Sequence, residues 1–271
     1  MNSTIALLQT SPQPTMETAF EETMALASDA LKSGAQFLMT PEYCGGLQSD
    51  GPRLIPPHAA EADHFYLNGV KQLAAENRVW FQIGSIAITG TNDEIFNRAF
   101  VIHSNGEIRS SHTKIHMFDI HLSETEVYRE SASVEAGARA ELIKTPIGNL
   151  GHTICYDLRF PSLYRDLAQA GAQVLTVPAA FTRKTGEVHW HVLNRARAIE
   201  NGAFVLAPCA VGDVFGGGEA YGHSLVVDPW GSVLADGGTD VGVVLAEIDL
   251  LLVDDARRRI PSLSHDQTYQ V

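Results

Sequence analysis

The sequence predicts a single α/β domain over residues 1–271, with helices layered on mixed β-sheets. Three observations carry this. Short apolar runs bounded by Gly, Pro, Ser or Asn alternate with amphipathic helical stretches early in each half of the chain. Hairpin-like pairs of runs occupy the ends of the halves, so a purely doubly wound parallel sheet is not expected. No Pro/Ser-rich linker, low-complexity tract or strong internal repeat divides the chain.

Taken in order, Thr4–Leu8 reads as a buried strand that ends at Ser11, Pro12 and Pro14. Thr15–Ser33 has helical periodicity, with Phe20, Met24, Ala27 and Leu31 recurring every three or four residues and Gly34 as its stop. Gln36–Met39 is a second strand, running into Pro41, Glu42 and Tyr43. Ala60–Asn77 reads as a helix and Val79–Ile88 as a strand. Ile95–His103 and Glu107–Arg109 form a hairpin with Asn105-Gly106 as its turn, because that pair accepts positive φ.

The second half repeats the style. Gly148–Ile154 is a strand ending at Cys155, and Ser162–Ala170 is a helix stopped by Gly171. Gln173–Val177 is a strand, and Glu187–Asn201 is a helix with Val188, Val192, Ala196 and Ile199 on one face. Ala203–Ala207, Ser224–Asp228 and Val241–Ile248 are strands, with Pro229-Trp230-Gly231-Ser232 as the turn after Asp228.

Composition excludes several classes. A formal charge of −13 without a basic stripe makes nucleic acid and anionic membrane poor partners. No run approaches the roughly 20 apolar residues of a membrane helix. Met1–Gln9 has no basic segment ahead of its apolar run, so a signal peptide is not expected. The three widely spaced cysteines, Cys44, Cys155 and Cys209, argue against a disulfide framework and for the reducing cytoplasm. None forms a C-x2-C pair, and His112 and His116 lack the glutamate of H-E-x-x-H, so no metal site is expected.

Cys155 carries the chemistry. It closes an apolar strand and precedes a helix-forming stretch after Pro161. A thiol at a strand-to-helix turn stands exposed at a sheet edge, with free backbone N–H groups beside it for an oxyanion. Taken alone, a cysteine there also suits a buried apolar position. Glu42 follows a strand end, where α/β proteins place ligands. Lys114, in His112-Thr113-Lys114-Ile115-His116, supplies a cation that would lower a thiol pKa or neutralise an alkoxide. By themselves these two read first as a surface glutamate and a solvated lysine.

The motifs together change that reading. Pro41-Glu42-Tyr43, His112 to Asp119, and Gly151-His152-Thr153-Ile154-Cys155-Tyr156-Asp157-Leu158-Arg159-Phe160-Pro161 resemble the nitrilase, or carbon–nitrogen hydrolase, superfamily in kind, order and separation. The resemblance continues through Pro178-Ala179-Ala180-Phe181, Thr185-Gly186, His189-Trp190, Arg195 to Asn201, Tyr221-Gly222-His223-Ser224 and Asp228-Pro229-Trp230-Gly231. It therefore covers nearly the whole chain.

The resemblance implies a four-layer α-β-β-α sandwich and a Glu-Lys-Cys triad of Glu42, Lys114 and Cys155. A second active-site glutamate is implied between the lysine and the cysteine. Glu130 matches that position best, with Glu124 and Glu126 as competitors. No metal or organic cofactor is needed, and a homodimer or higher homo-oligomer is implied. The branch it resembles most contains omega-amidases and deaminated glutathione amidases, which implies a small carboxylate-bearing amide as substrate. Tyr43, Tyr156, Ala180, Phe181 and Arg183 are the expected substrate contacts, with Arg183 and Lys184 as a cationic rim. A nitrilase, an N-carbamoyl-amide hydrolase and a non-catalytic protein on the same sandwich are the alternatives.

The remaining features read as structural. Gly216-Gly217-Gly218 lacks a phosphate-loop ending and suits a loop near the pocket mouth. Cys44 and Cys209 suit buried positions, and His189 and His191 suit packing or supporting hydrogen bonds. Arg257-Arg258-Arg259 suits a helix C-terminus.

Overall fold

The computed structural model describes residues 3–51, 53–124 and 126–270. Two mixed sheets pack face to face. The first runs in the order Gly242–Ile248, Ser3–Gln9, Phe37–Met39, Trp80–Thr89, Ile95–Ile102, Ile108–Thr113. The second runs Leu142–Thr145, Gly148–His152, Val174–Thr176, Phe204–Ala207, Leu225–Val227, Val233–Asp236. Each has parallel strands at its centre and antiparallel strands at its flanks.

The alternation of side chains along each strand explains the layers. Ile5, Leu7, Phe37 and Met39 point inward and meet Leu150, Val174, Phe204, Leu206 and Val226 of the facing sheet in one buried cluster. Their neighbours Ala6, Leu8 and Leu38 point outward onto helices α1 (Met16–Lys32) and α2 (Phe65–Asn77). On the other sheet, Leu175, Val205, Leu225 and Val227 pack under α3 (Pro161–Gln169) and α4 (Arg183–Asn201). Strands buried on both faces are apolar throughout, which is why they read as continuous runs. The result is the α-β-β-α sandwich. A last helix, α5 (Leu251–Arg259), carries Arg257, Arg258 and Arg259 in its final turn, as expected.

Several boundaries differ from the sequence reading. α2 begins at Phe65, with His64 as its N-cap, because His58–Ala60 is drawn into the first sheet beside Trp80–Thr89. The second hairpin strand extends to Thr113, which delivers Lys114 directly from a sheet edge. In α1 the buried stripe is Ala19, Thr23, Ala27 and Ala30, while Met24 faces outward.

α4 departs furthest. It starts at Arg183, with the Thr182 carbonyl accepting from Gly186 N–H at 2.8 Å, so Arg183 and Lys184 lie in its first turn. The apolar face Val188, Val192 and Ile199 points to solvent, at 63, 66 and 52% exposure. The buried face carries Trp190, Asn194, Arg197 and Asn201. Those polar groups are tolerated because they bond carbonyls: Arg197 donates from Nη2 to Leu158 O at 2.7 Å, and Asn194 donates to Trp190 O at 2.9 Å. No helix of the described residues is long and apolar enough to cross a membrane.

Candidate active site

Three chain segments converge above the sheet ends. Glu42 lies just past Phe37–Met39, in a turn pinned by Thr40 N–H to Gln82 O at 3.1 Å and Tyr43 N–H to Ser85 Oγ at 3.0 Å. Gly84 makes this close packing feasible, since a Cβ there would fall 2.0 Å from Thr40 O. Tyr43 takes a left-handed φ of 51°, which turns the chain back over the site.

Cys155 follows Gly148–His152 and also has a left-handed φ, 46°. A β-carbon there is strained, by about 1 kcal/mol or more, and persists because the surroundings fix it. Its N–H is held by Pro178 O at 2.9 Å, and Asp157 Oδ2 accepts from Ile154 N–H at 2.9 Å. The chain then enters a 3-10 turn, Cys155–Arg159, so the cysteine sits at a strand-to-turn elbow, but buried at 6% exposure rather than standing exposed at the sheet edge as the sequence suggested.

Lys114 is the centre of a buried ion network. Its Nζ lies 2.8 Å from Glu42 Oε1 and 2.7 Å from Glu130 Oε2, with all three side chains at most 3% exposed. Asn97 Nδ2 donates to Glu42 Oε1 at 2.9 Å and to Glu130 Oε1 at 3.1 Å. Tyr43 Oη donates to Glu130 Oε1 at 2.8 Å, Phe118 N–H to Glu130 Oε2 at 2.7 Å, and Ala180 N–H to Glu42 Oε2 at 2.9 Å. Such a network is costly to desolvate, and satisfied partners hold it in one geometry.

The electrostatics follow from burial. Burial opposes the charge on Lys114, but the Glu130 and Glu42 carboxylates outweigh it and raise its pKa well above the usual lysine value. Burial, then the Glu42 charge, push the Cys155 thiol well above the ordinary cysteine range, while Lys114 pulls it back. The resting site thus holds a protonated thiol beside a carboxylate and an ammonium. Burial, then Glu130, also raise the Tyr43 hydroxyl, so it serves as a donor. Burial raises Cys44 and pushes Cys209 up to about 12, as suits inert thiols.

Glu42, Lys114, Glu130 and Cys155 line one narrow cavity with Tyr43, Tyr156, Ala180 and Phe181. Of the three glutamates considered from sequence, Glu130 reaches Lys114, Glu124 is exposed, and Glu126 pairs with Lys184 at 3.0 Å. Ala180 is committed through its N–H to Glu42. Arg183 does not line the cavity; the earlier start of α4 sets it on an adjoining outer cleft, paired with Glu187 at 3.2 Å and Glu219 at 2.5 Å. The cationic rim is therefore neutralised. Gly217 and Gly218 do sit at the cavity wall, between strands Val211–Asp213 and Glu219–Tyr221.

Sequence reasoning missed Asn97, Asp157 and Arg159. Asp157 accepts from His116 N–H at 3.0 Å and His116 Nδ1 at 2.7 Å, which ties the cysteine turn to the Lys114 segment. The Arg159 guanidinium lies 5.8 and 5.6 Å from the rings of Tyr156 and Phe181, with no carboxylate in ion-pair range among the described residues. Of the packing or supporting hydrogen bonds expected for His189 and His191, the structure shows the second: His189 Nδ1 lies 3.3 Å from Arg159 Nη2, and His191 bonds Asp236.

A sandwich of this kind, with a buried Glu-Lys pair beside an elbow cysteine, defines a carbon–nitrogen hydrolase. The chain belongs to that family: the carbon-nitrogen hydrolase family model matches residues 4–258. A deaminated glutathione amidase of Synechocystis sp. is 36% identical over 269 residues, covering 96% of each chain. One of Mus musculus is 35% identical over 267 residues, covering 96% of this chain and 82% of that one. The crystal structure of the C. elegans NitFhit protein superposes with a TM-score of 0.89 at 33% identity, covering 98% of this chain and 65% of that longer one. Saccharomyces cerevisiae Nit3, a nitrilase-superfamily member, superposes with a TM-score of 0.85 at 26% identity, covering 98% and 96%.

Proposed function

We propose that this enzyme hydrolyses the amide bond of a small carboxylate-bearing substrate of the deaminated glutathione or omega-amide type, through a thioester on Cys155. The observation that carries the reading is Lys114 Nζ held between Glu42 and Glu130 in the cavity that also holds Cys155. Because the thiol rests protonated, attack requires a base at hand, and Glu42 is that base. The S–H proton passes to Glu42 as sulfur bonds the amide carbon. Lys114 and the Tyr156 N–H, at the start of the 3-10 turn, receive the oxyanion; one such donor contributes about 3–4 kcal/mol.

Glu42 returns its proton to the leaving nitrogen as the C–N bond breaks, giving ammonia or an amine and the thioester. Water then attacks, losing its proton to Glu42, and the C–S bond breaks to release the acid and restore the thiol. Glu130 positions Lys114 throughout, and Tyr43 and Asn97 hold Glu130.

Substrate class rests on the amidase relatives and on Arg159, which lies above two cavity-lining rings with no carboxylate in ion-pair range among the described residues. The narrow cavity takes the scissile amide, and the adjoining cleft leaves room for the rest of the molecule. Incubation with a panel of omega-amides, deaminated glutathione, a nitrile and an N-carbamoyl compound tests the reading. Release of acid with ammonia or the amine fragment, without carbon dioxide, is expected; preference for the nitrile or carbamoyl compound would contradict it.

The assembly we propose is a cytoplasmic homodimer, paired through the outward stripe Val188, Val192 and Ile199 of α4 with exposed Trp230, whose neighbour Gly231 abuts Ile199. Sedimentation should show a dimer that Val192→Asp dissociates; a wild-type monomer would rule it out.

A further inference from the structure

The outer surface of α4 carries a second cluster of reactive groups that the hydrolysis does not use. His191 projects from α4, His223 from the turn after Glu219–Tyr221, and Asp236 from the end of Val233–Asp236. His191 Nε2 lies 3.0 Å from Asp236 Oδ2, and His223 Nδ1 lies 2.8 Å from Asp236 Oδ1. One donor atom from each residue falls within 4.8 Å of the others, and no other group of three His, Cys, Asp or Glu among the described residues does so.

We propose that His191, His223 and Asp236 bind one divalent transition-metal ion of the zinc class. Two imidazoles and a carboxylate form a nitrogen-rich donor set that suits zinc, cobalt or nickel and disfavours calcium and magnesium. Neighbouring ligand atoms around a tetrahedral ion with bonds of about 2.1 Å stand about 3.4 Å apart. The two histidine–aspartate distances, each to a different carboxylate oxygen, lie within about half an ångström of that spacing. Closing the cluster on an ion requires the ring protons to move to the other ring nitrogens and the two imidazoles to draw together.

The frame around the cluster is built. Trp190 Nε1 donates to His223 O at 2.7 Å, His223 N–H to Gly238 O at 2.7 Å, and Gly238 N–H to Asp236 Oδ1 at 2.9 Å. Tyr221 stacks on His223 with ring centroids 4.6 Å apart. His223 holds a left-handed φ of 53°, which aims its ring at α4. In the single chain the three side chains are 23–35% exposed, on the same outer side of α4 as the stripe proposed to pair two copies. Trp190 also packs on Phe181, a wall of the catalytic cavity. The ion is a brace between α4 and the second sheet, outside the reaction itself.

The test uses the full chain, stripped of metal, in a Cys155→Ala background so that the reactive thiol takes no ion. Calorimetric titration with Zn²⁺ should show one ion per chain at micromolar or tighter affinity, with a rise in Tm. Co²⁺ should give visible absorption of a low-coordinate nitrogen–oxygen site. His191→Ala and Asp236→Asn should each weaken binding by about tenfold or more. Both sit on partly exposed positions, and circular dichroism verifies that they fold; His223→Asn tolerates the left-handed backbone and supplies a third variant. Absence of saturable uptake at about 100 µM Zn²⁺, some hundredfold above the expected Kd, would overturn the proposal. So would affinity unchanged in the folded His191 and Asp236 variants.

Discussion

The Asp157 carboxylate and His116 are joined twice, through the His116 backbone N–H at 3.0 Å and its imidazole Nδ1 at 2.7 Å. Asp157 also caps Ile154 N–H, so a single buried side chain locks the Cys155 turn to the strand end that delivers Lys114. Burial alone would raise the Asp157 pKa, but the His112 ring 3.9 Å away and the hydrogen bond from His116 hold it far below the usual aspartate range.

Asp157→Asn keeps the size and loses the charge, and its NH₂ must face a donor. Displacement of the thiol relative to Lys114 should lower kcat by about 10–100-fold with little change in KM. Steady-state kinetics on the folded variant checks this; an unchanged kcat would remove the linking role.

Glu130 stands apart from the proton transfers, so its substitutions should grade by how well they hold Lys114. Glu130→Gln keeps an acceptor and should lower kcat less than Glu130→Ala, which leaves Lys114 with one carboxylate. Truncation of a buried ion-network member costs about 3–5 kcal/mol of stability, read as a lower denaturation midpoint. Equal losses of kcat in both variants would point to a direct chemical role for Glu130.

Two buried histidines set an acid limit on stability. Burial, then His112, press His152 down to about 3, and burial presses His64 down to about 4. Unfolded, both titrate near 6.5, so below that pH the unfolded chain binds more protons than the folded one. Stability is full above about pH 6.5 and falls on acidification, by about 1.4 kcal/mol per pH unit for each histidine, until the folded values are reached. Denaturant unfolding at stepped pH should show this slope, and His152→Gln should remove about half of it. A flat profile between pH 6.5 and 4 would contradict it.

Arg159 and Arg183 make opposite predictions about substrate charge. Among the described residues Arg159 has no carboxylate in ion-pair range and bonds His189, whereas Arg183 is held by Glu187 and Glu219. Arg159→Ala should therefore raise KM for a carboxylate-bearing amide about tenfold or more, and less for a neutral one; Arg183→Ala should change both slightly. The reverse ranking would return the anion contact to the outer cleft.

How much of this was legible in the sequence depends on what each residue's partner is. Strands such as Phe37–Met39 and Phe204–Ala207 announce themselves because both faces are buried. The convergence of Glu42, Lys114 and Cys155 came through motif resemblance, since nothing in spacing alone brings residues so far apart together. The α4 face was misread because hydrophobic periodicity assumes apolar residues point inward. Here Asn194 and Arg197 go inside on backbone carbonyls, and Val188 and Val192 stay outside. The Thr182-x-x-Thr185 pair, with hydroxyls 2.7 Å apart, was the available signal for an earlier helix start. Asn97 gave no local signal: it occupies an ordinary strand position, and only the fold brings its amide to Glu42 and Glu130.

The proposed turnover passes through a covalent bond to one sulfur. Acid-quenching the enzyme during turnover of a preferred amide, then mapping its peptides by mass, should find the acyl mass on the peptide holding Cys155. The Cys155→Ala protein, folded by circular dichroism, should show neither the adduct nor turnover. Hydrolysis persisting in that variant, or an acyl group on Cys44 or Cys209 instead, would contradict the mechanism.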